Sequence, residues 1–61
     1  LFNMKMYRVK KYRKFPKQRP NDEVMRTVDS LKVAQIISIE LNKASKARYY
    51  VEPFNTEDYE V

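Results

Sequence analysis

The chain contains no glycine. Glycine enters left-handed backbone conformations without steric cost, so its absence removes the tightest turns and the closest backbone approaches to a ligand. Gly-rich phosphate loops, dinucleotide fingerprints and nucleophile elbows are excluded in their ordinary forms. Turns must instead use Asn, Asp, Pro and Ser. These residues mark two breaks: Pro16 with Pro20-Asn21-Asp22, and Asp29-Ser30.

Size narrows the choice further. Sixty-one residues make one domain. A chain this short buries only about 60% of its unfolded surface, and short domains usually add a disulfide, a metal or a second subunit. Neither Cys nor His is present. A disulfide is therefore ruled out and the usual zinc ligands are missing. A homodimer, or a place in a larger assembly, is the expectation. With 43% hydrophobic residues, five Tyr and three Phe, the chain is too apolar to be wholly disordered. No apolar run approaches the roughly 18 residues that span a bilayer. No membrane partner and a cytoplasmic location are expected.

Residues 4–15 are rich in Tyr, Val and Phe and lack a helix cap, which predicts a strand. Tyr7 and Val9 share one face, and the Lys10-Lys11 pair breaks the alternation at a β-bulge or a strand end. Residues 15–22 form a polar, Pro-bounded loop. Residues 23–29 alternate as a second, short strand. Ser30 is a candidate N-cap. After it, Val33, Ile37, Leu41 and Ala44 recur at helical spacing, widened by Ala34 and Ile36. Residues 42–46 supply the exit. Residues 47–54 read as a third strand closed by Pro53, with Tyr49 and Val51 on one face and Tyr50 and Glu52 on the other.

The expected fold is α+β, a small three-stranded sheet with one helix in the order β-β-α-β. It forms a single domain over residues 1–54, followed by an acidic tail over 55–61. Two other readings compete. One runs a helix continuously from residue 22, against Thr27 and Asp29-Ser30, which compete with the helical backbone. The other makes residues 31–41 a strand.

Charge is the feature closest to function. Residues 1–20 hold eight Lys and Arg and no acid, residues 21–46 hold four of each sign, and residues 47–61 hold one Arg against four acids; the net is +5. A cationic front suits a polyanion. Its cations are interleaved with aromatics, so phosphate neutralisation and stacking on unpaired bases are both available. The candidate nucleic-acid-binding residues are Tyr7, Arg8, Lys10, Lys11, Tyr12, Arg13, Lys14, Lys17 and Arg19, with Lys5 and Phe15 in the same segment. The plainer alternative is a solvated strand face that protects a sheet edge, with Tyr7, Val9 and Phe15 as core.

No catalytic site is expected. General acid–base work most often uses His. Asp22, Glu23, Asp29 and Glu40 are ordinary surface or ion-pairing carboxylates, and Glu57, Asp58 and Glu60 lack the spacing of a calcium loop. No metal and no cofactor are anticipated. Arg48-Tyr49-Tyr50 is a second constellation, with one Tyr in the core and the other on an open sheet face beside Arg48. Ile36 and Ile39 exceed what one helix face needs to bury. With Tyr50 they are the candidate partner interface. The tail, ending Tyr59-Glu60-Val61, suits a peptide groove or folds back on the basic segment.

The function expected is that of a small accessory or regulatory protein that binds DNA or RNA without sequence specificity. The alternative is a protein-interaction module, a small inhibitor or structural subunit, steered by charge to an acidic protein.

Overall fold

The computed structural model describes residues 4–56. The acidic tail from Glu57 onward and Leu1–Asn3 lie outside the described residues. The element order is β1 (Lys5–Lys11), β2 (Glu23–Val28), α1 (Leu31–Ala44) and β3 (Tyr49–Asn55). The three strands form one antiparallel sheet in the order β2-β1-β3. The fold is therefore β-β-α-β, three strands and one helix.

Local chemistry decides between the competing readings of residues 22–44. Ser30 is extended and its hydroxyl accepts from the Val33 amide at 3.2 Å. That caps one orphan donor of the first helical turn and separates α1 from β2. At the other end Ser45 is extended and Lys43 lies in the last turn, where a cation opposes the partial negative charge of the helix terminus. Asn42 Oδ1 then accepts from the Tyr49 amide at 2.9 Å, tying the helix exit to the start of β3.

The helix does not present the expected stripe. Ala34 is fully buried, and Ser30, Ile37, Ser38 and Leu41 around it are half-buried; Val33 and Ala44 are exposed. The inward face is turned toward the smallest side chain, which allows a close approach of helix and sheet. Below it sits Val9, fully buried in β1. Val9 is paired with Val51, and Tyr7 on the same face is paired with Pro53.

Both outer strands carry devices that blunt a sheet edge. Val9 pairs with Arg26 and Lys10 with Val24, leaving Met25 without a partner. This bulge has its extra residue in β2, whereas β1 keeps unbroken register with β3 and simply ends at the Lys10-Lys11 pair. Pro53 does not close β3 but sits inside it, as an edge strand permits because one row of its amides makes no ladder bonds. The first strand also ends earlier than residue 15, at Lys11.

Among the described residues no backbone lies at positive φ. Two-residue hairpin turns need positive φ at their central positions. Here β1 and β2 are joined instead by a long connection, residues 12–22, which folds onto the sheet face opposite Val9. No helix of the described residues is long and apolar enough to cross a membrane.

Candidate nucleic-acid interface

The connection 12–22 is held by its own Asp22 together with Lys10, Tyr50 and Glu52 of the sheet. Lys10 leaves β1 on the face opposite Val9 and is 1% exposed. Its Nζ donates to the carbonyls of Arg19 and Pro20, each at 3.2 Å, and meets Glu52 Oε2 at 3.4 Å. A buried ammonium requires this full set of acceptors, because burial without partners is costly. Glu52 is shared: Arg8 Nη1 donates to its Oε1 at 3.0 Å, and the Arg8 guanidinium lies 3.7 Å from the centre of the Phe54 ring.

Asp22 is the second anchor. Its side chain is buried, and it accepts from the Tyr50 hydroxyl at 2.7 Å and from the amides of Arg19 at 2.9 Å and Arg13 at 3.2 Å. The carboxylate thus ties both ends of the loop to β3. The Tyr50 hydroxyl bond, the Arg19 amide, the Arg13 amide and the charge of Lys10 hold the Asp22 carboxyl below its ordinary 3.8 against the opposing effect of burial. Tyr50 moves the other way: burial and then the bond to Asp22 push its hydroxyl well above the ordinary 10.0. Tyr50 is 8% exposed. It is therefore enclosed rather than free to join Ile36 and Ile39 in a partner interface, because the loop closes over this end of the sheet.

Above these anchors the loop projects its cations. Tyr12 donates its amide to the Arg48 carbonyl at 2.9 Å, and the Lys17 amide closes a turn onto the Lys14 carbonyl at 2.8 Å. Arg13, Lys14 and Lys17 are exposed, while Lys11, Tyr12 and Arg19 are half-buried. Phe15 stands at the tip of this turn, 56% exposed. Tyr12 meets it edge-on at 5.0 Å and packs on Tyr50 at 4.5 Å. The Arg48 guanidinium lies 4.7 Å from the Phe15 ring centre, within the range of a cation–π contact.

The nine residues singled out in the sequence therefore separate. Arg13, Lys14 and Lys17, with Tyr12 and Arg19 at the base, belong to one lobe, whereas Lys11, the last residue of β1, alternates onto the Val9 face. Lys10 is turned inward and serves as the floor of that lobe, because the loop folds back over its side of β1. Arg8 lies further along the same sheet face, paired with Glu52. Tyr7 is half-buried on the helix side. Phe15 is exposed rather than core. Arg48 joins the lobe from the start of β3. Its adjacency to a Tyr pair marked it in the sequence, but nothing there linked it to Phe15. The lobe exposes no carboxylate of its own: residues 11–21 contain no acid, and Asp22 is spent on internal bonds.

Among the described residues no group of three or more acidic side chains is placed to hold a metal ion. Comparison with protein-family models, curated proteins and solved structures finds no match. The functional reading therefore rests on the geometry of this chain.

Proposed function

We propose that the protein binds nucleic acid through the 12–19 lobe, using Arg13, Lys14, Lys17 and Arg48 for phosphates and Phe15 as a stacking platform. The observation that carries this is a solvent-exposed aromatic, with the Arg48 guanidinium against its ring and Arg13, Lys14 and Lys17 exposed on the same loop, which is fastened from below. Exposed Phe is costly in a monomer, and a base that stacks on it removes that apolar face from water. A loop whose backbone is already fastened loses less conformational freedom on meeting phosphates than a free one does. No donor array aimed at particular base edges is evident in the lobe, so binding is non-sequence-specific and favours single strands, whose bases are free to stack. The role is that of an accessory or regulatory binding protein, not a catalyst.

The test is fluorescence anisotropy with a labelled single-stranded oligonucleotide over a salt series. About four phosphate contacts give a slope near −2.8 in log K against log salt, and so a loss of about 50-fold between 50 and 200 mM. Phe15→Ala should weaken single-strand binding about tenfold or more while changing duplex binding little. Salt-independent binding, or equal binding after reversing Arg13, Lys14 and Lys17, overturns the reading. If those reversals instead abolish capture of an acidic protein, the cations serve protein docking.

A further inference from the structure

The outward side of α1 carries more apolar surface than a solvated helix needs. Ile36 and Ile39 are 50% and 51% exposed, and Leu31 and Val33 on the flanks are exposed as well. At about 100° per residue, Lys32, Val33, Ile36, Ile39, Glu40 and Lys43 fall on the side turned away from buried Ala34. Meanwhile the buried apolar residues among those described are Val9, Ala34 and Tyr50, a small core for a chain without disulfide or metal. The sheet edges offer a second copy little, since β2 is bulged at Met25 and β3 carries Pro53.

We propose that α1 packs antiparallel against α1 of a second copy, about a two-fold axis passing at Ile36. In that register Ile36 meets Ile36, Val33 meets Ile39, and Lys32 meets Glu40. Symmetry repeats every contact between unlike residues twice. Charge selects this arrangement over its neighbours. A parallel pair sets Lys32 against Lys32 and Glu40 against Glu40. An antiparallel pair centred between Ile37 and Ser38 brings Ile36 onto Ile39 but sets Lys32 against Lys43. Only the axis at Ile36 places apolar residues together and opposite charges face to face. Neither Lys32 nor Glu40 forms an ion pair among the described residues, where the salt bridges are Arg8–Glu52 and Lys10–Glu52.

A helix of 14 residues is about 21 Å long, so the contact is at the small end of specific interfaces and the dimer is dynamic. Sedimentation equilibrium of the full chain, without nucleic acid, reads it directly. The wild type should pass from monomer to dimer as concentration rises, with a midpoint on the order of 100 µM. Ile36→Glu should leave monomer throughout. Lys32→Glu, which opposes Glu40 in the partner, should weaken association about tenfold because two attractions become repulsions. Lys32→Glu combined with Glu40→Lys should restore it. All these sites are exposed, so circular dichroism should show an unchanged fold in each variant. A chain monomeric up to about 1 mM overturns the proposal. So does a dimer indifferent to Ile36→Glu, or tightening by Lys32→Glu, which would place the axis beyond Ile37. None of these outcomes depends on whether the lobe binds nucleic acid.

Discussion

The two faces of the sheet are closed by opposite kinds of chemistry. On one side α1 meets Val9 through Ala34, an apolar contact whose strength depends on area and shape. On the other side a loop is held by Lys10, Asp22, Tyr50 and Glu52, through bonds with fixed directions. Among the described residues no buried side-chain polar atom lacks a partner, so the polar side meets the condition under which such a network gives one conformation. Apolar contact is tolerant, and the helix carries surplus Ile and Val on its far side. Directional contact is exacting, and the loop it fastens presents exposed cations at defined positions. The polar face is thereby suited to recognition and the apolar face to association.

The largest expected effect lies on the helix side. Val9→Ala removes buried methyl groups from the centre of a small core and should cost about 2–3 kcal/mol by denaturant unfolding. Lys10→Met keeps the length of the side chain but takes the ammonium donor from the Pro20 carbonyl, leaves the Arg19 carbonyl to the Asp22 amide and the Tyr50 hydroxyl, and leaves Glu52 to Arg8. A loss of about 2 kcal/mol is expected, tempered because Glu52 is partly in water. A stabilised Lys10→Met would show that the loop packs as well on an apolar floor. Tyr50→Phe deletes one donor to Asp22 and should cost about 1 kcal/mol.

Acid and base sharpen the contrast, because Asp22 and Tyr50, whose pKa values are displaced, both belong to the loop side. Asp22 has a folded pKa below its ordinary 3.8. The unfolded chain takes up this proton first, so the contribution is complete above that value and is lost as pH falls through the lower folded one. The Tyr50 hydroxyl is raised above 10.0, so its contribution is complete below pH 10 and is lost as pH rises beyond it. Urea midpoints should therefore hold steady between these limits and decline outside them. Tyr50→Phe should flatten the alkaline decline. It should also shrink the acid one, since its hydroxyl is the largest cause of the Asp22 shift. Smallest of all is the effect of neutralising Lys14 or Lys17. Each should change stability by less than about 0.5 kcal/mol, although each removes a proposed phosphate contact.

The order β-β-α-β was legible in the sequence because its signals are local. Alternation in residues 23–28, a Ser cap and the helical spacing after it each depend on near neighbours only. The absence of glycine likewise agreed with the lack of a two-residue hairpin between β1 and β2. The asymmetry of charge was visible too, since it is a property of composition. What each cation does was not. Lys10 and Lys14 are the same residue four positions apart, yet one is buried under Arg19 and Pro20 while the other faces water.

Sequence alone favoured the β-β-α-β elements over two rival readings and determined the cationic segment, because propensity, capping and charge act over a few residues. Only the tertiary structure decided that the loop folds back over Lys10, that Tyr50 lies beneath it, and that Arg48 reaches Phe15. Those outcomes join residues far apart in the chain. Tyr50 and Asp22 are 28 positions apart, and local rules carry no information over that distance. Burial, which converts a lysine from ligand contact to scaffold, exists only once the chain has closed on itself.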